Sequence, residues 1–274
     1  MTDDQVTDPR IADEAVPLGS WPTPLEPAPR LSVALGLHPD DLWIKRDDLI
    51  GLGGGGNKVR KLQYTCAAAL ARSATTLVTT GAAQSNHARL TAAAGARLGL
   101  DVVLVLAGEP LEPGVTATGN LALDGLFGAT IVWAGALDDA ALQQRAEEVA
   151  HELAEQGTIA EVIPFGGSSA VGARGYVDCG RELSHQAGGL TQVVVALGSG
   201  GTMAGLVHQL GAERVVGVHT GAVPDPERRV AALVDGLTGA EQAGTDQERQ
   251  DPAGLRIRLD QVGAGYSELT DGVR

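Results

Sequence analysis

Lysine is the basic side chain that can form an imine with an aldehyde or shed its proton near neutrality; arginine does neither. The chain carries 20 lysines and arginines, and its lysines are confined to Lys45, Lys58 and Lys61. Lys58 and Lys61 follow a run of glycines, Gly53 to Gly56, and Asn57. Glycines ahead of a helix let the backbone approach a ligand closely and take positive φ. A lysine in the first helical turn faces the positive end of the helix dipole, which lowers the pKa of its amine and suits it to attack an aldehyde. Two other readings stand beside this one. The segment could be a flexible glycine loop with surface lysines, or a loop that grips phosphate. The phosphate pattern GxxxxGK[ST] is not met, because Asn57 and Val59 occupy the needed positions.

Two further loops concentrate polar groups. Gly81-Ala82-Ala83-Gln84-Ser85-Asn86-His87 follows an apolar stretch and offers two amides, a hydroxyl and an imidazole beside a helix start. Such a loop suits a carboxylate, although Ser85 or Asn86 could simply cap the helix. Gly198-Ser199-Gly200-Gly201-Thr202 follows Val193–Leu197 and reads as an anion cup of backbone N–H groups and hydroxyls. It is also compatible with an ordinary strand-to-helix turn, and it misses the dinucleotide pattern GxGxxG by one position. A fourth loop, Pro164 to Ser169, reads as a hinge or a wall of the cleft. Of six histidines only His87 lies in such a loop, and no ligand spacing for a metal is present.

The elements that must hold these loops follow a βα rhythm. Strands are predicted at 42–45, 77–81, 101–106, 130–133, 161–165, 192–197, 214–219 and 255–259. Helices are predicted from Asn57, with Val59, Leu62, Ala67 and Leu70 on the apolar side, and at 85–98, 118–127, 138–156, 170–186, 201–210 and 226–237. Asp138 is the expected cap of its helix. Repeated strand–helix units mean parallel sheets covered on both faces. Residues 1–30 read as irregular and proline-rich, and 239–253 as a solvated linker.

Composition narrows the functions. The net charge is −14, which disfavours binding to a phosphate backbone. No apolar run has the ~20 residues of a membrane span. The first ten residues are acidic, without the apolar stretch of a signal peptide. Two cysteines, Cys66 and Cys179, argue against a disulfide framework. A cytoplasmic protein is the expectation.

Four segments in order, IKRDDLIGLGGGGNKVRKL, TTGAAQSNHARLTAAAGARLGL, IPFGGSSAVGARGYVDC and VVVALGSGGTMAGL, resemble the D-cysteine desulfhydrase and 1-aminocyclopropane-1-carboxylate deaminase family. Those proteins are pyridoxal-phosphate enzymes of the tryptophan-synthase β-subunit fold type. The resemblance implies a two-domain, three-layer α/β/α fold with mostly parallel sheets. Residues 1–53 plus 165–274 would form the large domain and 54–164 the smaller one. It implies that Lys58 holds the cofactor covalently and that Asn86 bonds its phenolic oxygen. Gly198, Ser199, Gly200, Gly201 and Thr202 would take its phosphate. Gln84, Ser85 and Asn86 would grip the substrate carboxylate, with Ser85 helping proton transfer. Lys45 and Lys61 are left structural or electrostatic roles.

The deaminase branch usually has glutamine after the QSN triplet. His87 stands there, as in desulfhydrases, so the resemblance favours β-elimination from D-cysteine to pyruvate, ammonia and sulfide. Deamination of 1-aminocyclopropane-1-carboxylate and cysteate sulfo-lysis are sister activities. The partners implied are a small amino acid and a second copy in a homodimer. Family members continue beyond the segment matching Gly265-Tyr266, so the expectation includes a large-domain sheet without its last part. A weakly active or inactive cofactor-binding remnant is the competing reading, and a nicotinamide dehydrogenase lacks its glycine fingerprint.

Overall fold

The computed structural model describes residues 15–241 and 254–263, the side chains of 240 and 241 excepted. The proline-rich stretch holds more order than expected: a short strand, β1 (Leu25–Pro27), and a helix, α1 (Pro29–Ala34). Pro29 opens the helix because its fixed φ suits the first turn, where the missing N–H has no partner to lose. Strand β1 pairs antiparallel with β2 (Trp43–Lys45).

Helix α2 (Lys58–Ala71) then leads into the first large sheet. Its elements are β3 (Thr76–Ala82), α3 (Asn86–Leu98), β4 (Asp101–Ala107), α4 (Gly119–Leu126), β5 (Thr130–Trp133), α5 (Asp139–Glu155) and β6 (Ala160–Ile163). The strands are parallel in the order β5-β4-β3-β6. Side chains alternate across a strand, and both faces are buried. Leu77, Leu104 and Leu106 pack with Leu62 and Leu90 on one side. Val78, Val103 and Val105 pack with Leu142, Ala146 and Val149 of α5 on the other. The predicted cap is present: Ala141 N donates to Asp138 Oδ1 at 2.9 Å.

The second large sheet is built from α6 (Ala170–Gln186), β7 (Val193–Leu197), α7 (Gly201–Leu210), β8 (Val215–His219), α8 (Pro226–Glu241) and β9 (Arg256–Arg258). It is parallel in the order β7-β8-β9. Its core joins Leu197 and Val215 to Met203, Leu206, Val230 and Val234. Its other face is more open, with Val194 65% exposed. Helix α8 continues four residues past the expected Leu237; residues 242–253 of the expected linker lie outside the described ones.

Helix α2 departs from the amphipathic expectation. Every residue from Val59 to Cys66 is buried, whereas Leu70 is 37% exposed and Ala67 partly so. Its first half is enclosed by several elements at once, so a single apolar stripe does not describe it. Arg60 is 1% exposed there. It donates to Asp47 and to both Glu182 oxygens, each bond 2.9 Å long, with its guanidinium 4.3 Å from the Trp21 ring. Lys45 adds a second cation to Glu182 at 2.6 Å. These ties bind the N-terminal segment, α2 and α6 together and set the direction in which α2 leaves the glycine run. Removing one partner of a buried ion pair costs more than the pair contributes. Glu182→Gln is therefore expected to lower stability by about 3 kcal/mol, read as an earlier urea midpoint; an unchanged midpoint refutes this role.

Candidate active site

The glycine run is shaped for close approach. Gly53, Gly54, Gly55 and Gly56 all take positive φ, from 57° to 131°. A Cβ on Gly55 would lie 2.2 Å from the Asp48 carbonyl oxygen, and one on Gly56 2.9 Å from Asn86 Nδ2. The run thus lies against Asp48 and against the start of α3, and delivers Lys58 to the first turn of α2. Asn57 makes no side-chain cap; its Nδ2 donates instead to Thr202 Oγ1 at 3.4 Å, tying α2 to α7.

The Lys58 amine is lowered to about 8, and the cause is burial. The dipole argument gives the same direction from a different origin. Site-resolved reductive methylation of Lys58 is expected to speed up with a midpoint near pH 8, against about 10.4 for a free lysine. A midpoint at the free value would show that the amine is solvated.

Beyond Lys58 two further cations converge. Lys61 is 1% exposed. Its Nζ donates to Ser168 Oγ at 2.8 Å and to the Gly166 carbonyl at 3.3 Å. Its pKa lies well below the ordinary lysine value because of burial and the charges of Lys58 and Arg229. Arg229, on α8, donates from Nη2 to the Ser168 carbonyl at 2.7 Å. Among the described residues no carboxylate pairs with Lys61. A buried ammonium of this kind is costly unless an anion joins it.

The cup at residues 198–202 faces that charge in part. Ser168 Oγ lies 2.7 Å from Ser199 Oγ and accepts from Gly201 N at 3.2 Å. A Cβ on Gly201 would stand 3.0 Å from Lys61 Nζ. Gly200 takes φ 94° and precedes α7 as its N-cap, and the first N–H of that helix, that of Gly201, is turned to Ser168 within the cluster. Gly198 stands apart; its nearest neighbours are Thr220 and Ala222, at 3.8 and 3.9 Å from a built Cβ. The loop at 164–169 is more than a wall: Ser168 links Lys61, Ser199 and Gly201. Sequence reasoning passed over Lys61, Ser168 and Arg229 as site groups. Lysine scarcity and the three-residue step from Lys58, one helical turn, were the available signals for Lys61.

The polar loop after β3 divides its work. Ser85 Oγ caps α3 by accepting from Ala88 N at 3.2 Å. Gln84 is engaged sideways: Nε2 donates to the Thr118 carbonyl at 3.1 Å and Oε1 accepts from Asn120 N at 2.9 Å. Asn86 alone of the triplet lies against the glycine run. His87 is buried, with Nε2 2.9 Å from Thr79 Oγ1. Thr79 gives its own proton to the Ile163 carbonyl, so the imidazole donates from Nε2. Burial and the charges of Lys58 and Lys61 push its pKa down to about 3, so it stays neutral. Among the described residues no cluster of acidic, histidine or cysteine side chains could hold a metal, and no helix is long and apolar enough to cross a membrane.

Residues 16–269 match a family described as pyridoxal-phosphate dependent enzymes. A Pyrococcus furiosus protein named "Putative 1-aminocyclopropane-1-carboxylate deaminase" is 44% identical over 195 residues, covering 70% of this chain and 57% of that protein. A D-cysteine desulfhydrase of Salmonella schwarzengrund is 43% identical over 229 residues, covering 80% of this chain and 68% of that protein. The chain thus spans little more than half the length of the Pyrococcus relative. A crystal structure described as an ACC deaminase homologue superposes with a TM-score of 0.79 at 35% identity, covering 94% of this chain and 76% of that one.

Proposed function

This chain belongs to the pyridoxal-phosphate dependent enzyme family, and from that premise we propose that it is a lyase that eliminates the β-substituent of D-cysteine or a closely related amino acid. The observation that carries the reading is the cluster in which Lys61 and Arg229 gather on Ser168 beside the N-terminus of α7, with the charge of Lys58 acting on Lys61 and without a carboxylate among the described residues. That cluster of donors suits a phosphate ester, and the Lys58 amine, its pKa lowered to about 8 by burial, suits an aldehyde. The residues present therefore suit the cofactor. Lys58 would hold it. Lys61, Ser199, Gly200, Gly201 and Thr202 would take its phosphate, with Gly198 shaping the turn, and Asn86 would reach its ring oxygen. Pyridoxal phosphate, when bound, supplies a sink for the electron pair left at the substrate Cα.

The chain's own groups do the rest. Lys58 Nζ, poised near neutrality, takes the proton from Cα as the thiolate departs from Cβ. Ser85 Oγ accepts from the backbone, which leaves its own proton free to donate near the reacting carbons. Gln84 holds the loop at residues 118–120 and so sets the mouth of the site; with Ser85 and Asn86 it flanks the place for the substrate carboxylate. The site lies between two units, 54–164 and 1–53 plus 165–274, a division supported by a separate parallel sheet in each. Assembly as a homodimer belongs to the same proposal.

His87, which the resemblance reads as a mark of the desulfhydrase branch, is what favours D-cysteine as substrate. Relatives of both names stand at similar identity, so deamination of 1-aminocyclopropane-1-carboxylate is the second reading. The test is turnover of the two substrates by the protein loaded with pyridoxal phosphate. Pyruvate and sulfide from D-cysteine support the proposal. Release of 2-oxobutyrate from the cyclopropane substrate alone replaces it with the second reading.

A further inference from the structure

The hydroxyl of Ser168 stands among three polar neighbours: Lys61 Nζ at 2.8 Å, Gly201 N at 3.2 Å and Ser199 Oγ at 2.7 Å. All of this is buried, with Ser168 and Ser199 exposed by 2% and 7%. Glycines crowd the group. A Cβ on Gly166, whose φ is 63°, would lie 2.2 Å from Ser199 Oγ, and one on Gly201 would lie 2.8 Å from Ser168 Oγ. The two hydroxyls are therefore packed against each other with little room to find other partners.

A proton count then fixes the direction of these bonds. A serine hydroxyl has one proton and two lone pairs. The backbone N–H of Gly201 can only donate. Lys61 beside a bound anion is an ammonium with three protons and no lone pair, so it can only donate as well. Both lone pairs of Ser168 Oγ are then filled, and its own proton goes to the remaining neighbour, Ser199 Oγ. Ser199 receives a proton from behind and cannot return one. Among the described residues Ser168 is the one hydrogen-bond partner of the Ser199 hydroxyl, so the Ser199 proton is left for what enters the cup. A chain that starts at a cation polarises each following bond, which strengthens that last donor. Thr202 is backed in the same way: its Oγ1 accepts from Asn57 Nδ2 at 3.4 Å, and its own proton stays free to give.

We propose that Ser168 is a positioning residue: by accepting from Lys61 and from Gly201 N it is left to donate to Ser199, and so turns the Ser199 hydroxyl outward as a donor to the cofactor's phosphate. The inference rests on the cup being the phosphate site, as read above. A wall made of donors suits a ligand that carries acceptors only, which is what a phosphate dianion is.

The test compares wild type, Ser168→Ala, Ser199→Ala, the double variant and Ser168→Thr, each as the whole purified protein. Three readouts are taken: affinity for inorganic phosphate by titration calorimetry, thermal midpoint without phosphate, and uptake of pyridoxal phosphate by visible absorbance. Ser168→Ala is expected to weaken inorganic phosphate about tenfold, and Ser199→Ala to do the same. The double variant should bind no worse than Ser199→Ala alone, because Ser168 acts through Ser199. Ser168→Thr keeps a hydroxyl and should restore the affinity; should its added methyl lower the midpoint, the other three variants decide alone. A lowered midpoint in Ser168→Ala with unchanged or tighter phosphate binding makes Ser168 a structural residue and overturns the proposal, as does an additive double variant. Wild type that binds no inorganic phosphate overturns it too. Wild type that binds inorganic phosphate but takes up no pyridoxal phosphate sinks the functional reading instead, and the phosphate affinities of the variants still decide the role of Ser168.

Discussion

A Lys58→Ala protein is expected to show no visible cofactor absorbance after incubation with pyridoxal phosphate and no turnover of D-cysteine, while remaining folded. Lys58 is the partly buried amine whose pKa is brought to about 8, so an appreciable fraction is neutral and nucleophilic at physiological pH. It is presented by a run of four positive-φ glycines, a costly backbone that a surface lysine has no need of. The other amine within reach, Lys61, is tied to Ser168 and Gly166 and faces the phosphate cup. Removing Lys58 should therefore remove the covalent attachment and the base together. Loss of a nucleophile that also serves as base leaves only what binding contributes, a fall of about three orders of magnitude or more. The measurement is a spectrum, followed by borohydride trapping and peptide mapping. Label found at Lys45 or Lys61 in the wild-type protein would overturn the assignment.

Much of the framework is legible in the sequence because it is local. The run 101–106 is continuously apolar after Asp101, as expected of a buried parallel strand, and the strand found there, β4, sits second from an edge with helices on both sides. Asp138 announces α5, and Ser85 announces α3. The glycine signals at 53–56 and 198–202 are likewise local, since positive φ and close backbone approach select glycine directly. What was not legible depends on packing between distant segments. Leu70 looks like a core residue on a helical stripe but is exposed, because the buried part of α2 is its first half, enclosed on several sides. Ser168 looks like a turn residue until Lys61, Ser199 and Gly201 gather on its hydroxyl. Gln84 illustrates the reverse: its place in the polar loop suggests a ligand group, and its side chain is spent on residues 118–120.

Lys61→Met is expected to move stability and ligand affinity in opposite directions. Lys61 is fully buried, carries donors to Ser168 and Gly166, and has no carboxylate partner among the described residues. Its pKa is well below the ordinary value, first because of burial and then because of Lys58 and Arg229. A lysine with a depressed folded pKa contributes its full stability above the unfolded value, near 10.4, and loses it as pH falls toward the folded one. Near neutrality it therefore burdens the ligand-free fold, and methionine, similar in volume and apolar, relieves that burden. The ligand-free variant should melt higher than wild type, by an amount that grows as the pH is lowered from about 10 toward neutral. An anion on Lys61 reverses the balance. A charge-assisted hydrogen bond to phosphate is worth about 1.5–3 kcal/mol, so the variant should bind inorganic phosphate and pyridoxal phosphate roughly tenfold to a hundredfold more weakly. Thermal shift reads both effects in one experiment. Wild type should gain midpoint with added inorganic phosphate, and Lys61→Met should start higher and gain little. A variant that starts lower than wild type, or that gains as much from phosphate, would show that Lys61 is a structural cation and that the phosphate sits elsewhere.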